Sequence, residues 1–141
     1  MPNNGIRIHL KDSDVRMLSR GIKGARGVAD RTNRLIEIMK VSAEPVRQEM
    51  EDLAPVRTGA LGQSMRSRKL QKTAPGVVGI RVGPTRGEKL AGWRAHFIEA
   101  GTKHHAPKPF IRKAIARKLP QTLRALRLNL QILLKKTTTT I

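Results

Sequence analysis

The sequence predicts a single α+β domain in which two long helices pack with a small antiparallel sheet. Three observations predict it. Apolar residues recur at helical spacing over residues 28–53 and again over 109–136, and between them residues 61–82 alternate around a turn signal, which is typical of a β-hairpin. A length of 141 residues fits one domain. We therefore assign residues 1–136 to one domain and 137–141 to a polar C-terminal tail.

Two short elements precede the first long helix. In GIRIHL, residues 5–10, apolar side chains alternate with Arg7 and His9, which indicates a strand with one apolar face. Residues 12–20 begin with capping side chains and continue with apolar ones, which indicates a short helix that ends at Gly21 or Gly24.

The first long helix, residues 28–53, is predicted from one apolar stripe. The stripe consists of Leu35, Met39, Ala43, Val46, Met50 and Leu53. Pro45 lies inside it and lacks a backbone donor, so we expect a kink or a break there, and Pro55 ends the helix.

In the predicted hairpin, Pro75 and Gly76 suit the central positions of a type II turn. Residues 83–92 are rich in glycine and charge, and we expect a mobile loop. Residues 93–100 have the spacing of a short helix that Gly101 ends.

The second long helix begins at Pro109, a residue favoured in a first turn, and a kink is expected near Pro120. Its apolar stripe consists of Ile111, Ile115, Leu119, Leu123, Leu126, Leu130 and Leu133. Trp93, Phe97 and Phe110 stand where core packing would use them. We expect the two stripes to face each other or a neighbouring copy.

Positive charge dominates the composition. Lys and Arg number 29 against 10 Asp and Glu, a formal net charge of +19, and all but two of the acidic residues precede Pro55. Such a field attracts polyanions, which include nucleic acid, an anionic membrane surface and an acidic protein.

The residues do not predict an enzyme. The chain has no cysteine, no nucleophile with a base and an orienting group, and no cluster of carboxylates for two-metal chemistry. His96, His104 and His105 are read as loop or helix residues, with Glu99 as the only nearby carboxylate, so neither a metal nor another cofactor is expected. No apolar run is long enough to span a membrane.

Several basic residues around the hairpin could contact phosphates, without recognising a nucleotide sequence, or an acidic protein partner. The alternative is that they form a solvated surface with no binding role. The set consists of Arg57, Arg66, Arg68, Lys69, Lys72, Arg81 and Arg86. Glu99, alone in a cationic region, is expected to pair with Arg94, Lys103 or Arg112, or across a subunit boundary.

Three phrases in a fixed order resemble one family. APVRTGAL (54–61) is followed, after the hairpin, by AHFIEAGT (95–102) and PFIRKA (109–114). Together they resemble the tail-component family of long-tailed phages, also called the tail completion, head–tail joining or gene-product-ten-like family. The positions expected to build its joints are Pro55, Thr58, Gly59, Leu61, Glu99, Gly101, Thr102, Pro109, Phe110 and Arg112.

The resemblance implies a structural virion protein, assembled in the host cytoplasm and placed at the neck of the particle. It would join the head connector or adaptor to the tail terminator or tail tube, and would complete or terminate the tail as part of a hexameric ring. DNA would pass through the ring and could contact its lumen. The contrasting reading, on charge alone, is a sequence-independent nucleic-acid-binding protein.

Overall fold

The computed structural model describes residues 5–11, 13–16, 28–57, 59–71, 77–87 and 90–138. Within them the predicted α+β class is confirmed. The elements are β1 (Ile6–Leu10), α1 (Val28–Leu53), α2 (Ala60–Gln63), β2 (Met65–Lys69), β3 (Val78–Pro84), β4 (Arg86–Gly87), β5 (Leu90–Ala91), a 3-10 helix (Gly92–Arg94), α3 (Ala95–Ala100) and α4 (Phe110–Thr138). Of the short helix predicted from residue 12 to Gly21 or Gly24, only residues 13–16 are described, and they are helical.

The larger sheet has three antiparallel strands in the order β1–β3–β2. Its central strand places Ile80 opposite Ile8 on one side and Lys69 on the other. Because side chains alternate across a strand, one face of the sheet is apolar and the other polar. Ile8, Ile80 and Met65 are buried on the apolar face, against α1.

The predicted hairpin exists as β2 and β3, but its start is corrected. Residues 60–63 are helical, and β2 begins only at Met65. Gly59, in the left-handed conformation, precedes this helical turn. Ser64 follows it, and the Ser64 hydroxyl donates a hydrogen bond to the Leu61 carbonyl oxygen at 2.6 Å. Leu61 is buried in this turn. The proposed type II turn lies outside the described residues.

The loop expected over residues 83–92 is also corrected. β3 runs on to Pro84, which stands opposite Met65 of β2. Beyond it, β4 and β5 pair antiparallel, with Arg86 opposite Ala91 and Gly87 opposite Leu90. Most of the described residues of this segment therefore lie in paired strands, although its composition alone indicates a loop.

The two long helices lie antiparallel. Ser42 of α1 accepts a hydrogen bond from Asn129 of α4 at 2.9 Å, and Glu49 accepts one from Arg117 at 2.9 Å. α1 also packs on β2 and β3, so it joins the sheet to α4. The expectation that the two helical stripes face each other is confirmed for most of their residues.

Both helices continue through their internal prolines. Next to Pro45, the Arg47 guanidinium lies 2.6 Å from the Glu44 carboxylate and 2.7 Å from that of Glu51, and the hydrogen bond that it donates to Glu44 is the main cause that raises the pKa of Arg47. These i,i+3 and i,i+4 pairs support the turns that lack one backbone donor.

Leu123 is wrongly placed by the predicted stripe: its side chain is 50% exposed. A helical residue turns about 100°, so each step of four overshoots a full turn by about 40°, and three such steps move Leu123 about 120° away from Ile111. The buried positions of that face are instead Ala114, Thr122 and Leu126.

Two of the three aromatic residues expected in the core are on the surface. Phe110 is buried, whereas Trp93 is 50% and Phe97 42% exposed. The short helix α3 turns Ala95 and Glu99 inward, which leaves Phe97 on its outer side. Trp93 and Phe97 make an edge contact, with ring centroids 6.3 Å apart.

The C-terminal helix extends to Thr138, so the first two residues assigned to the polar tail are helical, and 139–141 lie outside the described residues. Among the described helices, none has the length and apolarity needed to cross a membrane.

Replacing Leu126 by Ala should destabilise the domain by roughly 2–4 kcal/mol, because the change leaves a cavity between α4 and α1. Leu123→Ala is the matched control on the same helix, and we expect it to cost less than about 1 kcal/mol. Urea unfolding followed by circular dichroism measures both. Equal losses would contradict the helix rotation described above.

Candidate functional site

The first phrase connects α1 to the sheet. Gly59 has φ 73°, a conformation that side chains other than glycine rarely adopt, and its carbonyl accepts the Gln63 N–H at 3.0 Å. Ser64 then accepts the Thr85 N–H at 2.9 Å through its own carbonyl, which ties the turn to the end of β3. Thr58 lies outside the described residues.

The second phrase reverses the chain between α3 and α4. Gly101 has φ 79°, and a Cβ there would lie 2.9 Å from the Pro107 nitrogen and 3.0 Å from the His105 carbonyl oxygen. The Thr102 hydroxyl accepts the N–H groups of His104 and His105 at 3.3 and 3.2 Å. The expected Gly-Thr joint is therefore a tight backbone turn for which only glycine has room at position 101.

Glu99 holds the first turn of α4. Its two carboxylate oxygens accept the N–H groups of Ile111 at 2.9 Å and Arg112 at 3.0 Å, from a side chain only 5% exposed. The Arg112 guanidinium lies 3.5 Å away and is itself 78% exposed, so the backbone donors are the principal partners. The carboxylate also faces the positive end of the helix dipole.

APVRTGAL and AHFIEAGT, the first and second phrases, meet at a small, mostly apolar cavity of about 280 Å³. Pro55 lines it from the first phrase, and Phe97, Ile98 and Thr102 line it from the second. The Ile98 carbonyl accepts the Lys108 N–H at 2.8 Å beside it. The motif positions thus connect α1, α3 and α4 at one end of the helix pair.

A row of three arginines crosses the outer face of the sheet. The register places Arg81 of β3 directly opposite Arg7 of β1 and Arg68 of β2. Arg66 lies two residues before Arg68 and therefore on the same face. We call Arg7, Arg66, Arg68 and Arg81 the arginine face. None of them forms an ion pair with a carboxylate in the described part of the chain.

A groove of about 600 Å³ opens beside the arginine face. Its basic lining consists of Arg66, Arg68, Lys69, Arg81 and Arg86, and no acidic residue lines it among those described. Trp93 and His96 form part of its wall, and the Arg94 guanidinium lies 4.9 Å from the centre of the Trp93 ring.

Burial lowers the pKa of Arg81, and the neighbouring charges of Arg7, Arg68 and Arg86 lower it further. Like charges directly opposite each other in a sheet are destabilising. The fold therefore holds these cations together at a cost in stability.

The structure brings together five of the seven predicted basic residues, which line the groove. Arg57 is exposed after α1 and does not line it, and Lys72 lies outside the described residues. Sequence reasoning missed Arg7 as a member of this group. The alternation in GIRIHL points Arg7 outward, but nothing local shows which strand lies beside it.

Among the described residues, no group of three or more His, Asp or Glu side chains is placed to hold a metal ion. His96 contacts Trp93 and Phe97 rather than the other histidines, with its Nδ1 3.1 Å from the Trp93 carbonyl oxygen.

A protein-family model described as "Bacteriophage HK97-gp10, putative tail-component" matches residues 27–101. The match covers more than half of the chain, from α1 through α3, and includes APVRTGAL and the Glu99–Gly101 turn. The chain belongs to this HK97-gp10-like family of bacteriophage tail components. No curated protein and no solved structure matched it.

As a phage tail component, the protein is part of the virion. The family match ends at Gly101, so PFIRKA and α4 lie beyond it. The contact of Glu99 with Ile111 and Arg112 nevertheless ties that segment to the matched region.

Glu99→Gln in this tail component should lower the free energy of unfolding by roughly 1.5–3 kcal/mol, because a neutral amide replaces a charged acceptor of two backbone donors. Glu37→Gln, which removes only an exposed pair with Lys40, is the control and should cost less than about 1 kcal/mol. Thermal unfolding of both variants checks the difference, and a Glu99 variant as stable as the Glu37 variant would contradict the capping role.

Arg81→Gln should stabilise the tail component at low salt, since it removes repulsion with two cross-strand neighbours, each worth roughly 0.2–1 kcal/mol. The gain should shrink as salt screens the charges. Arg124→Gln on the outer side of α4 removes the same charge away from the sheet and serves as the control. A melting temperature that changes equally in both variants would show that the arginine face carries no special repulsion.

Proposed function

We propose that this tail component is a structural protein of the phage neck that joins the head to the tail. In this role it completes or terminates the tail as part of a hexameric ring. Its partners are further copies of itself, the head connector or adaptor on one side, and the tail terminator or tail tube on the other. It acts by binding and not by catalysis.

The observation that carries the proposal is the family membership together with the geometry of the three phrases. Their residues connect the elements at one end of the helix pair, where Gly59 and Gly101 form tight backbone turns and Glu99 caps the first turn of α4. A protein that transmits contacts between two large assemblies needs fixed angles between its elements, and such turns supply them.

Exposed apolar side chains support the formation of a ring. Leu128 and Ile132 are exposed one turn apart on α4, while Val56 and Phe97 are exposed near the phrase junction. Two different apolar surfaces on one chain suit head-to-tail association, and such association closes into a ring when the rotation between copies allows it.

The alternative function, sequence-independent nucleic-acid binding, is favoured by the arginine face. The two functions are compatible, because DNA passes through the neck of a phage particle during ejection. The structural role is the primary proposal because family membership supports it, whereas the alternative function rests on charge alone.

The test is a phage in which this gene carries a stop codon. Without the chain, filled heads and free tails should accumulate separately, and the wild-type chain supplied in trans should restore joined particles that contain it. Electron microscopy and mass spectrometry of purified particles measure both results. Absence of the chain from intact virions would sink the proposal.

Variants separate the ring from the fold. Leu128→Ser with Ile132→Ser should fold but fail to restore joining, whereas Leu123→Ser, on another side of α4, should restore it. Restoration by the double variant would remove this surface from the proposed ring contact.

A further inference from the structure

We propose that the groove beside the arginine face binds the sugar–phosphate backbone of nucleic acid, without regard to sequence. Arg68 and Arg81 are the central contacts, Arg7 and Arg66 extend the site, and Trp93 lines it from the wall. The inference does not depend on where in the particle the protein lies.

The density of positive charge favours a phosphate backbone. Neighbouring strands are about 4.8 Å apart, so Arg7, Arg81 and Arg68 place three cations across about 10 Å. A nucleic-acid strand carries one charge per about 3.4 Å of helix axis, and a duplex one per about 1.7 Å. An extended acidic peptide offers one carboxylate per about 6.8 Å on a given face, a lower charge density than that of a nucleic-acid duplex.

The donor chemistry also fits phosphate. All four cations of the arginine face are guanidinium groups, which present a planar fork of N–H donors to a phosphate. No acidic residue lines the groove among those described, so a bound polyanion meets no described carboxylate there. The groove is open and about 600 Å³ in volume, which suits a polymer lying across it more than a single small anion.

The energetics of the sheet give an independent reason. Within the described residues the four arginines of the arginine face form no ion pair with a carboxylate, and Arg81 is half-buried among like charges. Folding alone would favour neutral side chains on this face. A bound polyanion converts the repulsion into attraction, which gives the arrangement a function.

The experiment compares two triple variants of the full chain. One changes Arg7, Arg68 and Arg81 to Gln, and the matched control changes Lys113, Arg124 and Arg127, exposed on α4, to Gln. Both lower the net charge of +19 by the same amount. Fluorescence anisotropy measures binding to a labelled random-sequence duplex and to a labelled oligothymidine, over a series of salt concentrations.

The wild-type chain should bind both probes, and the arginine-face variant should bind at least about tenfold more weakly than the control. Its log–log salt slope should be lower by roughly 2–3, since each lost phosphate contact removes about 0.9. Loss of equal size in both variants would show that the charge acts diffusely, and the proposal would be wrong.

The single tryptophan locates the bound probe. The chain contains one Trp and no Tyr, so its intrinsic fluorescence reports the groove wall alone. Saturation with unlabelled oligothymidine should change the Trp93 emission in the wild type and in the control variant. An unchanged emission at saturation would place the nucleic acid elsewhere and overturn the assignment.

Two further outcomes are decisive. If the arginine-face variant binds DNA normally but loses binding to polyglutamate, the face serves an acidic protein instead. If that variant does not fold, as judged by circular dichroism, Arg66→Gln with Arg68→Gln on the edge strand gives the same comparison against Arg124→Gln with Arg127→Gln.

Discussion

The buried carboxylate of Glu99 sets where α4 begins and in which direction it leaves α3. Two backbone donors of α4 bind it, and no other described segment offers this helix a charged cap. The direction matters because α4 must return antiparallel along α1 to reach Ser42 with Asn129. α1 also packs against the sheet. The position of the Glu99 carboxylate therefore affects how α4, α1 and the sheet are placed relative to one another.

The sequence predicted what depends on local periodicity and missed what depends on rotation and pairing. Both long helices were predictable because a helix that buries one face repeats its apolar residues every three or four positions. Leu123 was wrongly predicted to be buried because the search for an apolar stripe selects leucine over a neighbouring polar residue. The buried residue is Thr122. The helical turn that contains Leu61 was not predicted, because one turn has too few residues to show a periodic pattern.

Of the candidate site, too, only the part that depends on local pattern was predictable. The basic residues of the hairpin were predictable from charge and alternation, which place Arg66, Arg68 and Arg81 on one face. Arg7 joins them through a pairing between β1 and β3 that lies some 70 residues apart in the sequence, and register at that distance leaves no local signal. Trp93 was assigned to the core because aromatic residues usually contribute there, whereas here it lies at the groove.

Charge constrains how such a chain can assemble. In the proposed ring, copies that each carry +19 would repel one another, so apolar contacts between copies would have to overcome a repulsion that grows with every subunit added. The arginine face lies on the side of the sheet away from α1, whereas Leu128 and Ile132 lie on α4, so the two surfaces can be occupied at once. A polyanion on the arginine face would neutralise part of the field and favour association through the helices. Assembly of the proposed ring and the proposed binding of nucleic acid would then be thermodynamically linked, each promoting the other.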